Sequence, residues 1–305
     1  MIAPPLSSYH RLALTPVHRW WRPLLGTAFL LAAWIVVMFA GLMAVLAAAT
    51  IAGRPENADG LPSFGPLPDL AQDFLAIAVA LPIVLLAARW VERRPAGTVS
   101  SVTGRLRWQW LLSCLPIAGV TVGVLLAGSL FLPGDNSETG EQLAGWGPFA
   151  VSMAVLLLVV PVQAAAEEYL CRGWLLQTFG AWLRNPWIPI VVQALMFAAL
   201  HGWGTPWGFA DLTVFGIVAG WLTVRTGGLE AAIALHVANN LLSTVIAAAY
   251  GELTITETAA DLPWQVVALD VPLLAGYGMV IAWLARRRNL TTRSAAPAML
   301  PQRAA

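Results

Sequence analysis

Residues 151–179 read VSMAVLLLVVPVQAAAEEYLCRGWLLQTF. From Val151 to Ala166 no side chain is charged; then come Glu167 and Glu168, and Arg172 follows four residues after Glu168. A charge in hydrocarbon costs roughly 3 kcal/mol on insertion scales and more in simulations, so an ionisable side chain inside a membrane-like run is a functional-site hypothesis by default. Here three fall within six positions. The apolar run decides the fold, and the charges inside it pose the question of chemistry.

The rest of the chain agrees with a membrane setting. Of 305 residues, 58% are hydrophobic and 11% charged, with mean hydropathy +0.72; soluble domains carry about 25% charge. A net charge of +1 gives no reason to expect nucleic acid as a partner; the lipid bilayer is the expected one. All 17 basic residues are Arg, which excludes Schiff-base lysine chemistry and a Ser–Lys dyad. Cys114 and Cys171 lie in different apolar runs and offer neither a disulfide framework nor a zinc spacing. The first apolar run, Leu24 to Ile51, is longer than a signal-peptide core of about 7–15 residues, so no cleavable signal is expected. His18, Arg19, Trp20, Trp21 and Arg22 before it form an interfacial anchor.

Runs of 18 or more apolar residues are long enough to cross ~30 Å of hydrocarbon. They predict an all-α polytopic membrane bundle of about eight helices, near 24–51, 69–90, 108–132, 148–182, 187–202, 208–224, 229–250 and 265–285. The fourth exceeds one span and must tilt, protrude or kink at Pro161. Arg11, Arg19, Arg22, Arg89, Arg93, Arg94, Arg105, Arg107, Arg184, Arg225 and Arg286–Arg288 fall on one side of this scheme. Glu56, Asp59, Asp135, Glu138, Glu141, Glu252, Glu257 and Asp261 fall on the other, with Arg54 out of place. The positive-inside rule then puts both termini in the cytoplasm. Residues 1–149 read as three helices and loops, 150–250 as a catalytic core, and 251–305 as the last helix and a tail. Residues 1–17 and 289–305 read as unordered, and 92–107 as a cytoplasmic loop at the lipid headgroups.

Chemistry concentrates in the core. Glu168 and Arg172 are i,i+4 neighbours in the favourable order, whereas Glu167 points about 100° away and has no such partner on its own helix. Phe197 and His201 close the fifth span, and His236 and Asn240 share a face of the seventh. A carboxylate can act as general base toward water, a His can share the proton or bind a metal, and a His–Asn pair can donate to an oxyanion. The same set can also hold a divalent cation through Glu167, His201 and His236 with an open position for water. Taken singly, each element has a plainer reading: a structural ion pair, an interfacial carboxylate, a headgroup-level histidine, interhelical hydrogen-bonding glue. For straight upright helices the depths also disagree. Glu167 lies about 25 Å along its helix from Arg184, His236 only about 10 Å from Leu229, and His201 near the outward end of a short span.

The order EEYLCR (167–172), FAALH (197–201) and HVANN (236–240) resembles the motifs EExxxR, FxxxH and HxxxN of the CPBP family, the CAAX proteases and bacteriocin-processing enzymes also called Abi. All motif positions match, over roughly a third of the chain. The resemblance implies an all-helical bundle of about eight spans and intramembrane proteolysis. It makes Glu167 the water-activating base assisted by His201, with His236 and Asn240 at the oxyanion and Glu168 and Arg172 structural. It leaves open a divalent metal such as zinc, and substrates of prenylated CaaX or bacteriocin type. Together with the Lys-free composition it favours a multi-pass protein of a bacterial inner membrane. The chain has no HExxH, GxSG or GxGD motif, which sets aside other intramembrane proteases. A non-catalytic scaffold or immunity protein and a proton-coupled transporter are the rival classes.

Overall fold

The computed structural model describes residues 7–56, 60–132, 142–254 and 258–294. Asp59, Asp135, Glu138, Glu141 and Glu257, used in the orientation argument, lie outside them. The helices are α1 (Arg22–Ala52), α2 (Pro66–Ala78), α3 (Ala80–Trp90), α4 (Trp108–Ser129), α5 (Trp146–Glu168), α6 (Leu176–Trp182), α7 (Trp187–Leu200), α8 (Pro206–Thr226), α9 (Glu230–Tyr250) and α10 (Trp264–Arg287). α2 and α3 join into one pass, as do α5 and α6. Among the described residues, seven passes are long and apolar enough to cross a membrane, and the eighth, α7, is shorter. The protein is a polytopic helical membrane bundle, as composition and periodicity predict.

α5 continues through Pro161 without a break in its helical run. The irregularity lies instead in a π-helical turn, Tyr169–Leu175, immediately after the two glutamates. Such turns are rare and frequent at functional sites. This one brings Gly173 onto Val99, where a Cβ would stand 2.6 Å from Val99 Cγ1. The whole helix, Trp146–Trp182, has 37 residues, about 55 Å at ~1.5 Å each, longer than one upright span of ~30 Å.

α9 is the central pass. Every residue from Glu230 to Ala238 is buried, and the helix packs on α4, α5 and α8. α1 sits at the rim against α3, with Ile35, Val36 and Phe39 exposed as an apolar outer face. Its anchor is Trp174, whose Nε1 donates to Thr27 Oγ1 at 3.0 Å.

The basic face is closely built. Residues 92–107 pack onto the bundle. Glu92 and Arg94 form a buried ion pair, and Val99, Ser100 and Ser101 are buried. Arg107 clamps Glu230 through Nε and Nη2, at 2.8 and 2.6 Å. The segment packs over the α8–α9 turn: Val102 N donates to Gly227 O and Leu229 N to Ser100 O. The flanking segments are not unordered throughout, contrary to expectation. Ser7–Ser8 (β1) pairs antiparallel with Arg293–Ser294 (β2). Tyr9 and Leu12 are buried, and the Tyr9 hydroxyl donates to the Val99 carbonyl. Arg11 Nη1 donates to Gly180 O at 3.1 Å, and His10 Nε2 bonds Arg184 O at 3.2 Å. The apolar Tyr9 and Leu12 within a polar segment give it something to bury.

Two outcomes test this clasp. A Cβ on Gly180 would stand 1.9 Å from the His10 carbonyl oxygen, so Gly180→Val should destabilise the protein by about 1–3 kcal/mol, read by thermal unfolding in detergent micelles. Burial holds the His10 imidazole below its ordinary value. Its stabilising contribution is therefore complete above the unfolded value of about 6.5 and is lost as pH falls from there toward the folded value. Proteolytic nicking within residues 7–17 should accelerate over that window, and His10→Asn should weaken the dependence.

Candidate active site

Four passes converge on the two glutamates. Glu168 and Arg172 are both fully buried and joined at 2.8 Å, Nη1 to Oε1. The same Oε1 is 2.7 Å from His236 Nδ1, reaching across from α9. The Arg172 guanidinium lies 4.1 Å from the Phe197 ring centroid and 5.5 Å from that of Phe215. Those rings come from α7 and α8 and stack at 5.7 Å. Arg172 Nε and Nη2 meet no acceptor among the described residues, so the aromatic faces supply the attraction that hydrogen bonds do not. Phe197 also touches the His201 and His236 rings, at 4.6 and 5.9 Å between centroids. It is thus the common wall of the site.

Both histidines are held by Nδ1. In His201, the cap residue of α7, Nδ1 bonds the Phe197 carbonyl at 2.9 Å; a carbonyl only accepts, so Nδ1 carries the hydrogen. In His236, Nδ1 bonds Glu168. Each ring then turns Nε2 toward one atom, Glu167 Oε2, at 3.9 Å from His201 and 3.8 Å from His236. These separations exceed a direct hydrogen bond and suit one bridging water. Glu167 and His201 are 14% and 23% exposed, against 4% for His236. Access therefore comes from the His201 side.

The structure brings together every residue singled out in the sequence and removes the depth conflict. Glu167 and His201 stand almost equally far from the turn between α6 and α7, on opposite arms of one hairpin. His236 reaches them from α9, whose leading turn is covered by residues 92–107. The reading of Glu167 as lacking a partner on its own helix is corrected as well. Gln163, buried and one turn earlier, donates from Nε2 to Glu167 Oε1. Its Oε1 accepts from Asn240 Nδ2 at 3.0 Å. The i,i+4 spacing applied to Glu168 and Arg172 would have found Gln163. Nothing in the sequence marks Phe215, whose place depends on how α8 packs against α7. As for the candidate metal ligands Glu167, His201 and His236, no group of three His, Cys, Asp or Glu side chains among the described residues is arranged to hold an ion.

Residues 148–242 match the family described as Type II CAAX prenyl endopeptidase Rce1-like. This segment resembles the Rce1-like family. The match spans every side chain of the constellation from Gln163 to Asn240. The chain is 30% identical over 183 residues to the Bacillus subtilis (strain 168) "Uncharacterized protein YyaK", covering 58% of this chain and 60% of that protein. It is 28% identical over 160 residues to an Escherichia coli "Uncharacterized 24.3 kDa protein", covering 50% and 69%. It thus spans less than two thirds of the Bacillus relative's length. No solved structure matches it. The fold makes it a multi-pass membrane protein, and residues 148–242 match a membrane protease family.

Removing one partner of a buried ion pair leaves the other charge uncompensated, at about 3–5 kcal/mol. Arg172→Leu should therefore lower thermal stability in detergent by about that amount, and adding Glu168→Met should recover part of it. A melt unchanged by Arg172→Leu would contradict the central place given to this pair.

Proposed function

We propose that this protein is an intramembrane endopeptidase that uses Glu167 as general base, acting on a membrane-associated peptide. The observation that carries the reading is the convergence of both imidazole Nε2 atoms on Glu167 Oε2, at 3.9 and 3.8 Å. A water seated among the three gives up a proton to the Glu167 carboxylate while its oxygen attacks the scissile carbonyl carbon. His201 Nε2 accepts the water's other hydrogen and fixes its direction. The carbonyl π electrons move to oxygen, where Asn240 Nδ2–H is the donor. His236 presents Nε2 on the same side, its ring held through Nδ1 by Glu168. The C–N bond then breaks, and the leaving amine takes the proton held by Glu167.

The Rce1-like match supports a prenylated CaaX-type C-terminus as the substrate class; a bacteriocin-type leader is the other. A prenyl chain dissolved in the bilayer would carry its peptide to a site half-open on the His201 side. The bacterial sources of both relatives support a cell-membrane location.

The test is cleavage of a farnesylated CaaX peptide, and in parallel a bacteriocin leader peptide, by the full chain in lipid nanodiscs. Glu167→Gln is expected to abolish turnover. Asn240→Ala should lower kcat by about 10²–10³-fold. Wild-type turnover by correctly folded Glu167→Gln would overturn the reading in favour of a scaffold, and proton-coupled flux without cleavage would favour a transporter. Chelator treatment should leave the rate unchanged; loss on chelation with recovery on adding zinc would transfer the activation of water to a metal.

A further inference from the structure

Three amides line up behind the carboxylate. Asn239 Nδ2 donates to Asn240 Oδ1 at 3.3 Å, Asn240 Nδ2 donates to Gln163 Oε1 at 3.0 Å, and Gln163 Nε2 donates to Glu167 Oε1. Every donor in the chain points toward Glu167. That direction has one cause. An ionised carboxylate can only accept, whereas an amide side chain has a donor end and an acceptor end. Glu167 therefore forces the Gln163 NH₂ to face it, which turns the Gln163 oxygen to Asn240. Asn240 must then present its NH₂ to Gln163 and its oxygen to Asn239. A single boundary condition at the carboxylate fixes the orientation of all three amides.

We infer that Gln163 is a positioning residue that couples the base to the oxyanion donor. It occupies Oε1 of Glu167 and so commits Oε2 to the two histidines. It also holds the Asn240 amide with its NH₂ toward the site, one hydrogen bonded to Gln163 and the other uncommitted among the described residues. Without it both the carboxylate and the amide gain rotational freedom, and Asn240 can present its oxygen, an acceptor, where a donor is needed. Aligned hydrogen bonds in a chain also strengthen one another in a low-dielectric interior. Gln163 lies outside the EExxxR, FxxxH and HxxxN positions. Its role rests on the proposed general-base reading of Glu167.

The experiment separates the two. Gln163→Met conserves side-chain volume and removes the amide. In the nanodisc assay with the farnesylated peptide and the leader peptide, it should lose about 10- to 100-fold in kcat with little change in KM, the scale of one hydrogen bond to a charged group. The acid limb of its pH–rate profile should move to higher pH, because a donor to the charged form is gone. Gln163→Glu should be impaired at neutral pH and recover on acidification, when its own carboxyl proton can donate to Glu167. A packing role predicts near-wild-type kcat and an unmoved profile for Gln163→Met, and that result would overturn the inference.

A second arm needs no substrate. Infrared difference spectra of wild type against Glu167→Gln assign the Glu167 carboxylate stretch, and that band should shift in the Gln163→Met background. An unshifted band overturns the inference whether or not either peptide is cleaved. Turnover by Glu167→Gln, with the band shifted as expected, would instead overturn the protease reading and leave the contact standing.

Discussion

Neutralising the charge on Glu168 is the constraint around which the bundle's centre is arranged. A single oxygen, Oε1, receives Arg172 from the π-helical turn and His236 from α9, while Phe197 and Phe215 bring α7 and α8 against the guanidinium. Ions removed from water lose several kcal/mol each and recover it only through good geometry. Four passes must therefore meet at defined rotations about their axes. Once α5 is held that way by Glu168, the side on which its neighbour Glu167 emerges is set: about 100° further round the helix, it faces the two Nε2 atoms. The pair with no direct part in the proposed reaction thus sets the aim of the residue that has one.

Much of this was legible in the sequence, because the signals are local. Spans of apolar residues gave the passes to within a few positions, and i,i+4 spacing gave the Glu168–Arg172 bond. The three motifs named all of the convergent side chains except Gln163 and Phe215. Gln163 was missed because a neutral amide in an apolar run draws less notice than a charge, although its spacing from Glu167 was visible. The apparent depth conflict has a physical source. The α8–α9 turn is buried beneath a segment more than a hundred residues earlier in the chain, and no local pattern announces such a contact. Tyr9 and Leu12 are another case: two apolar residues carry little signal until the groove that receives them exists.

The family match ends near Asn240, yet the site leans on parts of the chain outside it. α4 packs along α9, and Arg107, just before α4, clamps Glu230 at the first turn of α9. The height at which His236 stands is thereby set by the N-terminal half. Arg54, the basic residue that the charge rule could not place, stacks over Phe64 at 5.3 Å and so has a local aromatic partner on the acidic side.

The pairing of Ser7–Ser8 with Arg293–Ser294 has a consequence for biogenesis. Two strands of two residues each, separated by nearly the whole chain, form a contact whose closure entropy is large and whose own energy is small. During synthesis the early strand precedes all of the passes described here, and it must wait until residues 293–294 leave the ribosome. The pairing is accordingly a late event of assembly, formed onto a bundle that already exists. The contacts of Tyr9 with Val99, and of Arg11 and His10 with Gly180 and Arg184, use residues made far earlier, so a newly inserted chain differs from a finished one in this short pairing on its basic face rather than around Glu167.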